Sequence, residues 1–202
     1  YRGKGYGLQL WKAAMSYLST QNIGLDGVVE QQANYKKSGF TLVYNNIRFE
    51  TTTFQNQGLP SGIVPLSETM LEKVIRYDRA FFPTPRPAFL RHWLALPESN
   101  AFVAIIPSGI EGYALIRKCR SGYKIGPLFA DTAACADQLF RACCGSVEPG
   151  ARVYLDIPEV NREGLALAEC YRMHKVFETA RMYTKSVPAI DTSKIYGVTS
   201  FE

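Results

Sequence analysis

The stretch that most constrains the fold is Arg2-Gly3-Lys4-Gly5-Tyr6-Gly7, at the start of the 202-residue chain. It leads directly into a segment in which Leu8, Trp11, Met15 and Leu18 recur at helical spacing. A helix start offers unpaired N–H groups and a positive dipole end, and glycines let the backbone approach an anion closely. With the charges of Arg2 and Lys4, this turn predicts a binding site for an anion such as a pyrophosphate.

Beyond the loop, the first part of the chain predicts a helix, a short strand, a second helix and a strand. These elements are expected at residues 8–19, 22–28, 29–38 and 40–50. Gly39 is expected to end the second helix. Residues 51–61 are rich in Thr, Gln, Asn and Pro and bury little, so they predict a linker between two domains, 1–50 and 62–202.

The second part predicts a larger α/β unit with a mixed sheet. The expected order is strand, helix, helix, three strands, helix, strand, helix and two strands. The ranges are 63–66, 69–82, 88–95, 102–106, 112–118, 123–129, 131–144, 152–157, 163–173, 180–187 and 194–201. Asp131 is expected to cap the helix that follows it. The first part repeats only the end of this order, which suggests two copies of one unit, the first without its front half.

Two runs in the first part resemble a known family. Residues 2–7 fit R/Q-x-x-G-x-G/A, and residues 35–40 read Tyr35-Lys36-Lys37-Ser38-Gly39-Phe40. The chain therefore resembles the GNAT superfamily of N-acetyltransferases, in which the first run is the acetyl-CoA motif and Y-x-x-x-G-F lies near the domain's end. The resemblance implies a GNAT-like mixed sheet with flanking helices, with acetyl-CoA as co-substrate. The implied cofactor-binding residues are Arg2, Gly3, Lys4, Gly5, Tyr6 and Gly7.

Tyr35 falls on the family position whose tyrosine often protonates the departing CoA thiolate. The alternative is a tyrosine that only packs against the sheet. The chain departs from the family pattern at one position. Many members carry an Asn that contacts the cofactor seven positions before the tyrosine, and here that position is Val28.

Residues 62–202 resemble the C-terminal acetyltransferase-like domain that follows a catalytic GNAT domain in some two-domain members. The runs that carry this resemblance are 120–128, 156–161, 181–183 and 196–202. At the cofactor loop of this copy, alanines replace both glycines and Asp131 replaces the basic residue. Asn161 keeps the Asn position, but Ala168 replaces the tyrosine. We therefore expect tandem GNAT-like units, the first incomplete and the second with a degenerate cofactor loop.

Bulk properties exclude several other classes. The net charge of +5 is spread along the chain, which argues against nucleic acid as a partner. No apolar run approaches the roughly 20 residues of a membrane span. The five cysteines are irregularly spaced and lie at no metal-ligand spacing to His92 or His174, so we expect no metal site and a reducing, cytoplasmic location.

The resemblance implies an acyl-CoA-dependent N-acyltransferase, most simply acetyl transfer to a small-molecule or peptide amine, with this chain a piece of the enzyme. The alternative is a non-catalytic GNAT-like binding or scaffold module. A V-shaped gap between the strands at 112–118, 123–129 and 152–157 would distinguish the two in the second unit. An open gap favours cofactor binding, and a gap plugged by side chains such as Tyr154 or Phe129 favours a scaffold role.

Overall fold

In the computed structural model, residues 3–55 and 58–200 are described. Their strands are β1 Gly24–Val28, β2 Thr41–Thr52, β3 Ile63–Pro65, β4 Ser99–Ile106, β5 Gly109–Lys118, β6 Tyr123–Ala130, β7 Arg152–Pro158, β8 His174–Tyr183 and β9 Ile195–Gly197. Their helices are α1 Tyr6–Tyr17, α2 Gln32–Lys37, α3 Glu68–Asp78, α4 Pro87–Trp93, α5 Ala133–Gly145 and α6 Arg162–Cys170. The fold class is thus the mixed α/β sheet with flanking helices that the sequence predicts.

All of these strands belong to one sheet. Its order is β1-β8-β2-β7-β6-β5-β4-β3, with β9 set against β6. Neighbouring strands are antiparallel except β6 and β7, which run parallel and pair only where Tyr123–Ile125 meets Val153–Leu155. Beyond this short pairing the two strands are no longer hydrogen-bonded to each other.

Helices cover both faces of the sheet. Buried residues of α5, among them Leu139 and Phe140, pack on one face with Leu155 and Ile157 of β7. On the opposite face, α3 and α4 pack on β4, β5 and β6 through apolar side chains that include Val74, Leu90, Val103, Leu115 and Phe129. Helices α1 and α2 lie on the α5 side, because Trp11 and Tyr35 pack against Phe40, Ala180 and Met182. Side chains alternate between faces along each strand, so Arg181 points to the α3–α4 face.

Two strand–helix–strand segments, β1–α2–β2 and β7–α6–β8, exchange their last strands. Strand β2 pairs with β7, β8 pairs with β1, and β2 and β8 pair with each other. The register places Asp26 opposite Arg181 and Asp156 opposite Arg48. The two segments therefore have the same pattern of pairing, with an aspartate and an arginine at corresponding positions.

This exchange changes how the predicted linker is understood. Thr51 and Thr52 belong to β2 and pair with β7. Thr53 is buried, and its hydroxyl donates a hydrogen bond to the Glu148 carbonyl at 2.6 Å. Phe54 stacks on Tyr171 with ring centroids 5.8 Å apart. The first residues predicted to be linker are thus part of the packed structure, and strand β2 lies within the sheet of the second unit. The division into domains 1–50 and 62–202 stays a prediction.

Several predicted boundaries were wrong. Strand β8 spans His174–Tyr183 rather than 180–187, because it extends along the whole of β2. The helix predicted at 29–38 is a 3₁₀ turn, Val29–Gln31, followed by α2. Asp131 does not cap α5, since the Thr132 side chain takes that position. The last predicted strand, 194–201, is short β9 in the structure, and residue 201 lies outside the described residues.

Candidate cofactor-binding site

The predicted loop lies at the exposed N-terminus of α1. Gly5 is the N-cap residue, with φ of 74° in the left-handed region, and it supplies no side chain to cap the helix. A Cβ added at Gly5 would meet nothing within 4 Å, and the first turn of α1 holds no acidic residue. Gly3, Lys4, Tyr6 and Gly7 are all exposed around it. Arg2 lies outside the described residues. This helix start leaves room for an anion at its N–H groups.

Helix α1, which follows the loop, packs against Tyr35 through one aromatic cluster. The Trp11 indole donates a hydrogen bond from Nε1 to Ser38 Oγ at 3.1 Å. Its ring lies 5.6 Å from the ring of Tyr35 and 5.8 Å from that of Phe40. Trp11 is six residues after Gly5, a separation of about 9 Å along a helix axis. Helix α1, which begins at the predicted loop, and the predicted tyrosine are therefore on the same side of the sheet, and Trp11 packs directly on Tyr35.

The Tyr35 ring rests on Gly27 of β1. A Cβ at Gly27 would overlap the Tyr35 ring, so this strand position has to be a glycine for the tyrosine to lie where it does. Tyr35 is half-buried, and its hydroxyl forms no hydrogen bond within residues 3–55 and 58–200. Such a hydroxyl is free to form a hydrogen bond with a bound group. This placement is compatible with either of the two roles considered for Tyr35, packing against the sheet or donating a proton.

In the region predicted as a second unit, the gap between β6 and β7 is filled by the chain itself. Strand β9 enters where these strands part, pairing Gly197 with Leu128 and Ile195 with Phe129. On the other side, the Val198 N–H donates a hydrogen bond to the Asp156 carbonyl at 2.9 Å. A Cβ at Gly197 would lie 2.6 Å from Leu155 Cδ1, so β9 fits tightly.

Asn161, which the resemblance places at a cofactor-contacting position, holds this strand in the gap. Its Nδ2 donates a hydrogen bond to the Ile195 carbonyl at 2.9 Å, and its Oδ1 accepts one from the Gly164 N–H at 2.9 Å. The second bond makes Asn161 the N-cap of α6. The donor and the acceptor of the Asn161 side-chain amide are thus both occupied by hydrogen bonds within the protein.

The N-terminus of α5, which corresponds in the resemblance to the cofactor loop of this unit, is closed as well. Thr132 Oγ1 accepts a hydrogen bond from the Cys135 N–H at 3.2 Å and so caps the helix. The Asp131 carboxylate lies just before it and receives a hydrogen bond from Lys194 Nζ at 3.0 Å. A bound pyrophosphate would have to displace the cap and approach a carboxylate. Of the N-termini of α1 and α5, only that of α1 is therefore suited to binding an anion.

A buried ion pair that was not predicted from the sequence lies on the face of the sheet opposite Tyr35. The Asp26 side chain has no exposed surface, and Arg181 donates hydrogen bonds to its Oδ1 at 2.9 Å and its Oδ2 at 2.5 Å. Asn46 Nδ2 adds a third bond to Asp26 Oδ1 at 2.7 Å. Burial acts to lower the pKa of Arg181, but the charge of Asp26 opposes this and the pKa is raised overall. No pattern within β1 or β8 signals this pair, because Asp26 and Arg181 are 155 residues apart in the chain.

The corresponding pair in the other segment carries an additional cation. Arg48 donates from Nε to Asp156 Oδ1 at 2.7 Å and from a terminal nitrogen to Oδ2 at 2.9 Å. The Lys124 ammonium also forms an ion pair with Asp156 Oδ2. Burial lowers the pKa of Lys124, and the charge of Asp156 opposes that shift without cancelling it. Asp156 and Lys124 are buried and Arg48 is partly exposed, and the three groups form a structural charge cluster at the junction of β2, β7 and β6.

Other functional classes find little support in the described part of the chain. Residues 3–55 and 58–200 contain no group of three His, Cys, Asp or Glu side chains placed to hold a metal ion. Within the same ranges, no helix combines the length and the apolar character needed to span a bilayer. All five cysteines are free thiols, and Cys135, Cys143 and Cys144 are core residues.

Comparison with known proteins identifies the class of protein to which this fold belongs. Residues 74–197 match the family model described as Acetyltransferase (GNAT) domain, so the chain belongs to this family. It is 32% identical over 201 residues to the Holothin acyltransferase of Pseudoalteromonas sp. (strain SANK 73390), covering 100% of this chain and 68% of that protein.

Solved structures show the same fold. A proposed acetyltransferase from Pyrococcus horikoshii superposes with a TM-score of 0.81 at 24% identity, covering 100% of this chain and 67% of its own. The GCN5-related N-acetyltransferase from Sphaerobacter thermophilus superposes with a TM-score of 0.61 at 15% identity, over 96% of this chain and 72% of its own. At these identities the likeness concerns the fold alone.

Proposed function

We propose that the protein transfers an acyl group, most simply acetyl, from a CoA thioester to an amine. Membership of the GNAT family supports acyl transfer in general. The observation that carries the finer proposal is the contrast between two helix starts. The N-terminus of α1 is open, glycine-lined and free of acidic residues in its first turn, whereas that of α5 is capped by Thr132 and preceded by Asp131.

In this proposal the loop Arg2–Gly7 binds the pyrophosphate of acetyl-CoA. The N–H groups of the first turn of α1 supply hydrogen bonds and a positive dipole end. Gly5 allows the left-handed backbone that begins the helix, and its lack of a side chain leaves the approach open. Lys4 and Arg2 add charge that favours a polyanion.

Tyr35 is proposed as the general acid that protonates the departing CoA thiolate. Its hydroxyl has no hydrogen-bond acceptor within residues 3–55 and 58–200, and its ring is held by Gly27, Trp11 and Phe40. The amine has to lose a proton before it attacks the thioester.

The second unit is proposed to act as a scaffold and not as a second catalytic site. Strand β9 lies in the gap between β6 and β7, and Asn161 holds it there. We also propose that the two units are tandem GNAT-like copies that share one sheet. The matching pairs Asp26–Arg181 and Asp156–Arg48 support that relation, since each joins the strand of one unit to the last strand of the other.

Thiol release from acetyl-CoA, measured with the intact protein over a panel of amines, tests the proposed reaction. The panel contains small amines, peptides with free N-termini and holothin, the compound in the name of the Pseudoalteromonas relative. Release that depends on the amine is expected. Acyl-CoA hydrolysis without any amine dependence would contradict the proposed transfer.

The pyrophosphate loop is tested by Gly5→Asp against the matched control Gly150→Asp. Both glycines have positive φ, 74° and 80°, are exposed, and have nothing within 4 Å of an added Cβ. The two substitutions thus impose similar backbone strain, but only one places a carboxylate at the start of α1. The KM for acetyl-CoA is expected to rise at least about tenfold for Gly5→Asp alone. Equal KM values in the two variants would refute the loop assignment.

Tyr35→Phe separates proton donation from packing, because phenylalanine keeps the ring and loses the hydroxyl. We expect kcat to fall about 10²-fold or more, the range typical of general acid–base catalysis. Tyr17→Phe is the control, since Tyr17 is 87% exposed and lies outside the aromatic cluster. An unchanged kcat in Tyr35→Phe would leave Tyr35 with a packing role only.

A further inference from the structure

A cleft separates one side of α3 from the tip of the β4–β5 hairpin, on the α3–α4 face of the sheet. Strand β4 pairs with β3 only over Phe102–Ala104, so Ile105 and Ile106 continue past the edge strand to the turn at Pro107 and Ser108. The cleft has about 610 Å³ accessible to water, within the range of about 300–1,000 Å³ that is typical of small-molecule sites. All of its lining residues lie between positions 70 and 110, in the described part of the chain.

The wall on the hairpin side of the cleft is aliphatic. Ile105 and Ile106 are each 38% exposed, although both are large apolar residues. Ile110 follows them at the start of β5, and Met70 lines the cleft from α3. Alkyl side chains of this kind are removed from water when another alkyl chain packs along them, and the flexible methionine adapts to its shape. This wall therefore favours a ligand with an aliphatic body.

The wall on the α3 side carries positive charge. Lys73 and Arg76 both line the cleft, and their spacing of three residues puts their Cβ atoms about 5–6 Å apart on one side of the helix. Both side chains are exposed, and neither forms an ion pair with any other described residue. Their flexible stems let both head groups reach the same anion, and the Arg76 guanidinium can bind a carboxylate through two hydrogen bonds.

This positive charge is not compensated within the cleft, because no acidic side chain of the described residues lines it. The carboxylates nearest to it along the chain have partners elsewhere. Glu72 on α3 pairs with Arg91, and Glu111 Oε1 accepts a hydrogen bond from the Thr132 hydroxyl at 3.0 Å. An anion that enters the cleft therefore meets two cations and no opposing carboxylate.

We propose that this cleft binds a small amphipathic anion, an aliphatic chain that ends in a carboxylate. The chain packs along the isoleucines of the hairpin, and the carboxylate lies between Lys73 and Arg76. An uncharged chain would leave both cations without a partner, and an anion without a chain would leave the aliphatic wall in water. The cleft lies on the face of the sheet opposite α1 and Tyr35, so the site does not depend on the proposed reaction.

Titration of the isotope-labelled protein, followed by NMR amide chemical shifts, tests both the ligand class and the location of the site. Hexanoate is compared with acetate, which lacks the chain, with hexanol, which lacks the charge, and with hexylammonium, which reverses it. Hexanoate is expected to shift the amides of Ser108, Gly109 and residues 70–77 with a single Kd.

The order of affinities carries the argument about chemistry. At low salt, hexanol is expected to bind at least about threefold more weakly than hexanoate, and acetate and hexylammonium at least about tenfold more weakly. Equal binding of hexanoate and hexylammonium, no binding of hexanoate, or shifts confined to other parts of the protein would overturn the proposal.

Removal of both positive charges tests the α3 wall. The double variant Lys73→Gln/Arg76→Gln is expected to bind hexanoate at least about threefold more weakly and hexanol as the unaltered protein does. The control Lys12→Gln/Arg79→Gln removes the same charge from exposed residues outside the cleft, and it should alter neither affinity. Equal weakening of hexanoate in the two double variants would contradict a specific role for Lys73 and Arg76.

Ile106→Ala tests the aliphatic wall. Loss of apolar contact is expected to weaken hexanoate about threefold and to leave acetate unchanged. Val187→Ala is the control, since Val187 is 54% exposed and does not line the cleft. Gly5→Asp should bind hexanoate normally even if it loses acetyl-CoA, so the two proposals can fail separately. Normal hexanoate binding by Ile106→Ala, or its loss in Gly5→Asp, would refute a separate site in this cleft.

Discussion

Replacing Asp156 by asparagine is expected to be among the most destabilising single changes in the sheet. The Asp156 side chain has no exposed surface, and it accepts two hydrogen bonds from Arg48 at 2.7 and 2.9 Å while pairing with Lys124. The Asp156→Asn substitution keeps the side-chain volume and removes the charge, leaving an amide group against two cations. Removal of one partner from a buried ion pair typically costs about 3–5 kcal/mol of unfolding free energy, and we expect a loss in this range.

The same cluster predicts a different outcome for Lys124→Met. Lys124 is almost fully buried, and burial lowers its pKa despite the charge of Asp156. Its charged form is therefore less stable in the folded protein than in the unfolded chain. Methionine removes that penalty, while Asp156 keeps both hydrogen bonds from Arg48. We expect the unfolding free energy to change by less than about 1 kcal/mol, or to rise.

The lowered pKa of Lys124 also gives a pH dependence with a definite sign. Between the folded-state pKa and the ordinary value of 10.5, the unfolded chain binds more protons at this lysine than the folded protein does. Stability contributed by this group therefore increases as pH rises through that window. The difference in unfolding free energy between the unaltered protein and Lys124→Met should show this increase, since the other titrating groups cancel.

Urea unfolding followed by circular dichroism measures both changes, at pH 7 and at steps up to pH 10.5. The matched control is Glu98→Gln, which breaks an ion pair with Lys118 in which both side chains are more than half exposed. Exposed pairs contribute little, so this control should change stability only slightly. If Asp156→Asn cost no more than Glu98→Gln, the argument from burial would be refuted.

Three further results are expected. Gly27→Ala places a methyl group where the Tyr35 ring lies, so it should lower kcat as Tyr35→Phe does. It should also lower the unfolding free energy by about 1–3 kcal/mol, as overpacking does. Normal activity in this variant would show that the position of the ring is unimportant. Asn161→Ala removes the hydrogen bond that holds β9, so hydrogen exchange at the Gly197 amide should accelerate. An unchanged exchange rate at Gly197 would show that Asn161 does not hold β9 in place. Burial raises the pKa of Tyr44, so absorbance titration of the tyrosines should show one phenol that ionises near pH 12 and is missing in Tyr44→Phe. If the phenol missing from Tyr44→Phe ionised near pH 10, the ordinary value for tyrosine, the raised pKa would be contradicted.

The local elements were predictable because their signals lie within a few residues. Helix α1 was expected at residues 8–19 and is found at Tyr6–Tyr17, directly after the glycine-rich loop. The three strands expected between 102 and 129 are present, each somewhat longer than predicted. Turn residues and hydrophobic periodicity act over such short distances that the surrounding fold alters their ends but not their type.

The exchange of strands was not predictable from local patterns. Nothing within β2 indicates that it lies between β7 and β8, because pairing partners are set by contacts more than 100 residues away in the chain. The buried pair Asp156–Arg48 and its counterpart Asp26–Arg181 were missed for the same reason. Each aspartate looks like an ordinary strand residue until the register brings an arginine opposite it.

The sequence by itself determined the family resemblance, the mixed α/β class and the position of the loop Arg2–Gly7, because glycine conformation and helix polarity are properties of a few adjacent residues. Only the tertiary structure decided that all the described strands form one sheet, that β9 fills the gap between β6 and β7, and that Tyr35 lies on Gly27. Those features arise from the burial of surfaces distant in sequence, which are stabilised only when the whole sheet has formed.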